Sequence, residues 1–322
     1  METSVTFVVI AFNESLGIVD CINSIINQDV DFDYLICLVD DGSTDGTSEI
    51  VESTFSNRVR IIRQMNLGRG AARLAGINSA NTEYIAMVDS DIRLPSNWLS
   101  TCIEGLGKNH AVGGVAVPDG DCATIGRIFR LTPRVKRGSI NLMGSNSFFR
   151  ADVLRAVGSS WVTRLGEDFR LQRLIEQGGY RTSSIPGLVV DHKENKSFVE
   201  TIRWFFQSGS DATTLWLQYR QFRLPDFTFL AFLLLLLFLP FEYVFFGKLS
   251  ILSFFVFFLL VGCAHINSKF VPRGKPIRFI AACIPNAMLM SAYLLGRLWG
   301  LVGFVARAVK SSRGLYSLPN YF

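Results

Sequence analysis

The feature that most constrains the fold is a regular alternation of strand and helix patterns over the first 91 residues. Short apolar runs rich in β-branched residues predict strands, and apolar residues near 3.6-residue spacing predict the helices between them. The predicted strands cover residues 5–10, 34–39 and 59–63 and a central strand from Tyr84, and the predicted helices cover residues 15–27, 47–55 and 71–80. Such alternation is typical of βαβ units and indicates a parallel, doubly wound α/β sheet of the Rossmann type.

Two carboxylates follow the central strand, which ends in Asp89-Ser90-Asp91. In a parallel sheet the carboxyl ends of the strands form the edge at which ligands bind. Asp and Ser also favour turns, so this triplet on its own is equally compatible with a solvated turn. At a ligand-binding edge, paired carboxylates are hard oxygen ligands suited to Mg²⁺ or Mn²⁺ that holds a substrate diphosphate.

A second acidic pair, Asp40-Asp41, ends the neighbouring predicted strand on the same edge. Carboxylates there can accept hydrogen bonds from the N–H and O–H groups of a nucleotide base and ribose. The residues that follow, Ser43, Thr44 and Asp45, are types that cap helices and favour the helix dipole. We therefore predict capping for these three and a ligand contact for Asp40, which has no evident capping role.

Four motifs in order along the chain resemble those of family 2 glycosyltransferases. They are Val-Ile-Ala-Phe-Asn-Glu at residues 9–14, Asp-Asp-Gly-Ser at 40–43, Asn-Leu-Gly-Arg-Gly-Ala-Ala-Arg at 66–73 and Asp-Ser-Asp at 89–91. The resemblance extends over roughly residues 5–209. It implies an A-type glycosyltransferase fold and inverting transfer of a sugar from a nucleotide-diphospho-sugar.

The resemblance also implies roles for single residues. Asp40 would bind the base or ribose, and Asp91, assisted by Asp89, would bind Mn²⁺ or Mg²⁺ on the diphosphate. His192 would approach the metal, although a lone His is more often structural, and Arg73 would hold the nucleotide, although an ion-paired helix position also explains it. The expected donor-binding residues are Ala11, Asn13, Glu14, Asp40, Asp41, Arg73, Asp89, Gly144, Ser145 and Asn146, of which the last three form a turn beside the sugar.

The segment Gly166-Glu167-Asp168 opens a further predicted helix. A carboxylate at a helix N-terminus is stabilised by the helix dipole, which alone explains an acidic residue there. Inverting transfer also needs a base that takes the acceptor proton while the hydroxyl attacks the anomeric carbon. The resemblance implies that Asp168 is this base and that Glu167 supports it. On a phosphate acceptor, which needs little deprotonation, Asp168 would orient the acceptor instead.

Two features bear on the acceptor. Residues 127–137 mix basic and apolar side chains, a pattern compatible with a solvated surface or with contact to an acceptor phosphate near a membrane. The Gln-x-x-Arg-Trp motif of processive relatives does not occur in the chain, which favours the addition of a single sugar.

Hydrophobic residues make up 49% of the 322 residues and are concentrated after Phe227. The apolar runs at 227–246 and 249–266 are long enough to span a membrane, with a turn at Gly247-Lys248 that makes them a hairpin. The basic stretch at 267–278 lies in the cytosol by the positive-inside rule, which predicts a multi-pass membrane protein with a cytosolic catalytic domain.

A third apolar segment, residues 279–308, is interrupted by Arg297 and several glycines. A full crossing would place Arg307 and Lys310 outside, against the charge rule. The alternatives are a re-entrant or interfacial hairpin, or a spanning helix packed in a homo-oligomer.

Charge and cysteine usage exclude other classes of protein. The net charge of +5 arises from basic residues that flank the apolar part, which favours an anionic membrane surface over nucleic acid. The six cysteines form no Cys-x-x-Cys pair, which argues against a zinc ribbon or a thioredoxin-like site. The N-terminus has no basic region or cleavage site, so we expect no signal peptide.

These patterns predict an α/β, Rossmann-like A-type glycosyltransferase domain at residues 1–196, interfacial helices at 197–226 and a C-terminal α-helical transmembrane region at 227–322. The predicted activity is metal-dependent inverting transfer of one sugar from a UDP- or GDP-sugar to a polyprenyl or dolichyl phosphate or a lipid-linked glycan. The alternatives are a non-catalytic membrane scaffold and a sugar nucleotidyltransferase. The second lacks support because no Gly-rich, Lys-bearing loop follows the first strand.

Overall fold

The computed structural model describes residues 4–118, 132–133, 142, 144–163, 166–193, 197–219, 224–271 and 276–312. The chain divides into two compact units. The first comprises Met1–Asp119 and Val135–Glu194, and the second comprises Gly120–Arg134 and Asn195–Phe322.

The elements are numbered in chain order. The strands are β1 (Val5–Ala11), β2 (Tyr34–Asp40), β3 (Arg60–Arg63), β4 (Tyr84–Asp89), β5 (Ile92–Arg93), β6 (Ala111–Pro118), β7 (Thr132–Pro133), β8 (Asn146–Arg150), β9 (Thr182–His192) and β10 (Phe270–Val271). The α-helices are α1 (Ile18–Ile26), α2 (Thr47–Phe55), α3 (Arg69–Ser79), α4 (Trp98–Leu106), α5 (Ala151–Val157), α6 (Glu167–Gln177), α7 (Phe198–Tyr219), α8 (Leu224–Phe246), α9 (Ser250–Lys269) and α10 (Pro276–Ser312).

The first unit is built around one sheet with the strand order β3-β2-β1-β4-β8-β6-β9-β5. Strands β1 to β4 are parallel to one another, as the alternation of strands and helices predicts. The sheet becomes mixed beyond β4, because β8 pairs antiparallel with both β4 and β6 and β5 pairs antiparallel with β9. The parallel half thus carries the motifs at the ends of β1, β2 and β4 to one edge.

Helices cover both faces of this sheet. Alternate side chains of β1 point to opposite sides, since Phe7 and Val9 belong to one buried cluster and Val8 and Ile10 to the other. The first cluster includes residues of α1, α2 and α4, and the second includes residues of α3, α5 and α6. Two apolar layers of this kind hold the carboxyl edge of the sheet in place.

Helix α1 starts later than its apolar pattern predicts. The carbonyl oxygen of Glu14 accepts hydrogen bonds from the backbone N–H groups of Gly17 and Ile18, at 3.0 and 2.9 Å. These bonds form a turn, so regular helix begins at Ile18 instead of residue 15.

In the second unit, α8 and α9 form the predicted antiparallel hairpin. The rings of Phe232 and Phe257 stack with their centroids 6.2 Å apart, and the Ser253 hydroxyl donates to Glu242 Oε2 at 2.8 Å. The chain reverses at Gly247, whose φ of +55° lies in the left-handed region that favours glycine.

Helix α10 is one continuous 37-residue helix, roughly 55 Å long at 1.5 Å per residue, so the re-entrant or interfacial hairpin predicted for this segment is wrong. Its glycines do not interrupt it but allow close packing against α7. A Cβ atom at Gly296 would overlap the carbonyl oxygen of Phe206, and one at Gly300 would lie 2.5 Å from that of Ser210.

Arg297, which sequence analysis treats as an interruption of the same helix, is neutralised inside the unit. Its Nη1 lies 2.6 Å from Asp226 Oδ1, and its guanidinium carbon lies 4.6 Å from the centroid of the Phe229 ring. A buried guanidinium with a carboxylate partner is compatible with an apolar helix. Two stretches in the described part of the chain, Asp226–Asn267 and Ile280–Ala306, are long and apolar enough to cross a membrane.

Candidate functional site

The carboxyl edge of the sheet brings two acidic motifs to either side of β1. In the strand register Ala11 lies opposite Asp40 of β2, and Ile10 lies opposite Asp89 of β4. The Ala11 carbonyl accepts from the Asp41 N–H at 2.9 Å, and the Ile10 carbonyl accepts from the Ser90 N–H at 3.1 Å. The predicted neighbourhood of the motifs therefore follows directly from parallel pairing.

Asp91 and His192 meet at this edge although they lie 101 positions apart. His192 Nε2 is 2.9 Å from Asp91 Oδ2, and the pairing of β5 with β9 holds both residues, with Ile92 opposite His192. The other carboxylate oxygen, Asp91 Oδ1, is buried and has no hydrogen-bond partner among the described residues. An unsatisfied buried carboxylate oxygen is a candidate metal ligand because a cation would compensate its desolvation.

Carboxylate oxygens and imidazole nitrogens are both suitable ligands for Mn²⁺. Mg²⁺ sites characteristically use one or two carboxylates, and substrate phosphates and water complete the coordination. Within the described residues, no group of three or more His, Cys, Asp or Glu side chains is placed to hold a metal. Asp91 and His192 thus fit a divalent cation whose remaining ligands come from a diphosphate, rather than a cage made by the protein alone.

Arg73 lies inside the first unit, where it joins two acidic motifs. Its Nη2 is 2.7 Å from Asp89 Oδ1, and its Nη1 donates to Glu167 Oε1. Burial by itself lowers the pKa of Arg73, but the carboxylates of Asp89, Glu167 and Asp168 outweigh it and hold that pKa above its ordinary value. Arg73 is therefore a permanent buried cation, and its ion pairs match the salt-bridged helix position, rather than the solvated one, among the alternatives that composition favours.

The Glu-Asp pair opens α6 directly after Gly166, which has a φ of +76°. Glu167 is buried and Asp168 is partly exposed, with Oδ1 accepting from the Phe169 N–H at 2.8 Å. Of the two carboxylates, Asp168 is the one a substrate can reach. Its role as base stays a prediction.

Asp40 accepts no hydrogen bond from a backbone N–H of α2, but it does have a structural role in the loop before that helix. Its Oδ1 accepts from the Ser43 N–H at 2.8 Å, and its Oδ2 accepts from the Ser48 hydroxyl. Asp41 anchors the loop before α3, with Oδ1 accepting from Leu67 N–H and Oδ2 from Gly68 N–H, each at 2.9 Å. Contact of either residue with a donor stays a prediction.

Asn13 connects the first motif to the second. It has a φ of +57°, its N–H donates to Ser43 Oγ at 2.9 Å, and its Oδ1 accepts from the Thr44 N–H at 2.8 Å. Ser43 and Thr44 thus bind Asn13 instead of capping α2. Asn tolerates this left-handed conformation better than most residues.

The predicted capping role falls to Asp45, whose Oδ1 accepts from the Thr47 N–H at 3.1 Å at the start of α2. Partial burial raises the pKa of Asp45, but hydrogen bonds from Thr47 and Ser15 outweigh it and leave that pKa below its ordinary value. Glu14 lies between the two motifs, and its N–H donates to Thr47 Oγ1 at 2.9 Å.

The Gly-Ser-Asn turn at residues 144–146 contacts Arg73 at its first residue and the buried core at its last. Gly144 packs on the guanidinium of Arg73, and Ser145 is buried. Asn146 is fully buried, and its Oδ1 accepts from Trp98 Nε1 at 2.7 Å. Contact of these three residues with the sugar stays a prediction.

Sequence analysis missed the link between Arg73 and Glu167, which lie 94 positions apart. No local pattern connects two opposite charges at that distance, and the best available signal was the presence of both in family-like motifs. The basic segment at residues 127–137 lies outside the described residues except for residues 132 and 133, so its predicted acceptor contact stays a prediction.

Comparison with known proteins agrees with this fold. Residues 6–158 match a family model described as glycosyl transferase family 2. Glycosyltransferase GlyG from Streptococcus pneumoniae is 36% identical over 114 residues, which cover 34% of this chain and 38% of that protein. Glycosyltransferase AglE from Haloferax volcanii is 27% identical over 228 residues, covering 66% and 74%. The chain spans between 16% and 38% of the length of the first curated relatives that it matches.

A solved structure, mannosyltransferase PcManGT from Pyrobaculum calidifontis in complex with GDP-Man and Mn²⁺, aligns with a TM-score of 0.57 at 18% identity. The alignment covers 92% of this chain and 87% of that chain. The predicted fold class, an α/β domain of the A type followed by C-terminal helices that are candidate membrane spans, is confirmed.

Proposed function

We propose that this chain, which carries a glycosyl transferase family 2 domain, is a metal-dependent, inverting glycosyltransferase that uses a UDP- or GDP-sugar. The observation that carries the proposal is the pairing of Asp91 with His192 beside an unsatisfied Asp91 Oδ1 at the carboxyl edge of the sheet. The donor class agrees with the GDP-Man and Mn²⁺ bound in PcManGT.

Each part of the site has a task in such a reaction. Asp91 and His192 would hold Mn²⁺ or Mg²⁺, which supplies charge neutralisation on the leaving diphosphate. Asp89 is bound to Arg73 and supports Asp91 from two residues away. Asp168 accepts the proton of an acceptor hydroxyl, or orients an acceptor phosphate, as the acceptor attacks the anomeric carbon opposite the diphosphate.

The donor nucleotide would lie over the ends of β1 and β2. The loops there are already ordered by Asn13, Asp40 and Asp41, whose hydrogen bonds are internal to the protein. A preorganised loop loses little conformational entropy on binding, so these residues can shape the nucleotide pocket through the backbone they hold.

A lipid-linked acceptor is proposed from the apolar second unit. Large apolar side chains of α8 and α9 are exposed, including Leu237 at 64%, Phe241 at 62% and Phe255 at 69%. Large exposed apolar patches mark sites of interaction with membranes or other proteins. We assign residues 1–196 to a cytosolic catalytic domain, 197–226 to interfacial helices and 227–322 to the membrane. The proposed acceptor is a polyprenyl or dolichyl phosphate or a lipid-linked glycan, and a homo-oligomer stays a prediction.

Membrane fractionation tests this assignment. Exposure of the apolar faces of α8 and α9 to water is unfavourable, and salt does not weaken apolar contacts with lipid. The full-length chain is therefore expected in the membrane fraction after a high-salt wash and in solution only after detergent is added. Immunoblotting of the fractions measures this. A peripheral protein held by charge serves as the control, since salt releases it. Recovery of the full-length chain in the salt-washed soluble fraction would contradict the membrane assignment.

A donor screen tests the activity itself. Purified protein in lipid is given labelled UDP- and GDP-sugars with Mn²⁺ or Mg²⁺, with and without polyprenyl phosphate, and label is counted in the organic phase. We expect metal-dependent label in the lipid. Release of nucleotide without lipid label would shift the acceptor to a preassembled glycan. Absence of both turnover and donor binding would favour the non-catalytic scaffold.

A further inference from the structure

We infer that Arg73 is a positioning residue that holds the metal-side and the acceptor-side motifs of the site in one geometry, and that it does not contact the nucleotide. The inference rests on the proposed function, and it departs from the role that the family resemblance implies for this residue.

The first observation is the shape of the ion-pair cluster. One guanidinium reaches Asp89 Oδ1 with Nη2 at 2.7 Å and Glu167 Oε1 with Nη1. Asp89 stands two residues before Asp91, and Glu167 directly precedes Asp168. Each acidic motif therefore has one carboxylate on Arg73 and one that faces the proposed substrates.

The second observation is that the described residues enclose the guanidinium. The Arg73 side chain is 3% exposed. Gly144 lies against its face, where a Cβ atom would stand 2.6 Å from Nη2 and overlap the guanidinium carbon. Glu167, its partner on the other side, is buried as well. A side chain enclosed in this way acts through its neighbours.

The chemistry of the guanidinium suits this role better than a point charge does. A planar group with several fixed N–H donors can bind two carboxylates in set directions, which an ammonium group cannot do. The distance between the motifs then depends on one rigid group. A misplacement of about 1 Å between reacting groups lowers the rate on the order of 100-fold.

The test compares Arg73→Lys with Arg69→Lys in the full-length protein. Arg69 is a matched control because it lies one helical turn earlier, is 46% exposed and has its Nε 3.5 Å from the same Glu167 oxygen. We expect Arg73→Lys to lower kcat about 100-fold while the donor KM and the Kd for UDP or GDP, measured by calorimetry with Mn²⁺, stay within about threefold. Arg69→Lys is expected to leave all three near their original values.

Two further variants keep the test decisive if Arg73→Lys does not fold. Gly144→Ala retains every charge but pushes the guanidinium out of place, and Glu167→Gln retains a hydrogen-bond acceptor at the far end of the cluster. Both are expected to lower kcat with little change in donor KM, and each fold is checked by circular dichroism.

The outcomes separate the two proposals. A rise in nucleotide Kd that matches the loss of kcat would show that Arg73 binds the nucleotide and would overturn the inference, as would an unchanged kcat. Failure of the proposed function appears instead in the unmodified protein, which would then neither bind UDP or GDP nor transfer sugar, and the inference would fall with it.

Discussion

Replacement of Asp91 by alanine is expected to lower metal-dependent sugar transfer by about 1,000-fold or more, because it removes the carboxylate proposed to hold the cation at the leaving diphosphate. The fold is expected to persist. Within the part of the chain that the structure describes, Asp91 Oδ1 has no hydrogen-bond partner to lose, and Oδ2 contacts the partly buried His192.

Transfer rates and Mn²⁺ binding in the presence of UDP or GDP measure this effect. Asp20→Ala is the matched control, since Asp20 is an exposed carboxylate that pairs with Arg93 close to the same motif. The variant Asp91→Ala should lose nucleotide-dependent Mn²⁺ binding together with transfer, whereas Asp20→Ala should retain both. Retained transfer in Asp91→Ala would refute the metal assignment.

The substitution Asp168→Asn is expected to leave donor binding intact and to lower turnover by roughly 100- to 10,000-fold, the range that a positioned base contributes. Asn keeps the size of the side chain and can still accept from the Phe169 N–H, so α6 retains its N-terminal contact. Because the substitution changes a single atom of the side chain, it tests the effect of the carboxylate on turnover separately from its effect on donor binding.

Steady-state kcat and the equilibrium Kd for the donor nucleotide are the quantities to compare. Glu176→Gln serves as a control on the same helix, because Glu176 lies on its last turn and is partly exposed. A loss of donor affinity as large as the loss of rate would count against Asp168 as the base. The size of the rate loss also distinguishes acceptors, since a phosphate acceptor that needs little deprotonation should show a smaller loss than a sugar hydroxyl.

Other parts of the molecule behaved as their local patterns predict. Strands β1, β2 and β4 end at Ala11, Asp40 and Asp89, close to the predicted boundaries, because a short apolar run between polar turns is a local property of the chain. The hairpin of α8 and α9 follows equally from length and apolar content. Parallel pairing then places the acidic motifs at one edge without further information.

The motifs did not predict which partners their polar side chains bind inside the protein. Asp40 accepts hydrogen bonds from Ser43 and Ser48, and Asn146 accepts one from Trp98 in the core. Both residues belong to motifs that resemble ligand-binding ones. Residue type and spacing describe which hydrogen bonds a side chain can make. Which partner it meets depends on packing, because a buried polar group bonds whatever donor the fold brings to it.

The third apolar segment illustrates the same limit. Glycines weaken a helix in isolation and a charged Arg297 is costly within an apolar span, so a hairpin with a break within residues 279–308 was one of the alternatives from the sequence. In the folded chain Gly296 and Gly300 instead admit the backbone of α7, and Asp226 neutralises Arg297. Contacts from another helix reverse the local preference.

The sequence by itself therefore determined the order of strands and helices, the edge that carries the acidic motifs and the apolar character of the C-terminal helices, since each depends on periodicity and composition along the chain. Only the tertiary structure decided that Arg73 joins Asp89 to Glu167 and that His192 reaches Asp91. These are pairings of residues far apart in sequence, and their geometry exists only after the two cores have packed against the sheet.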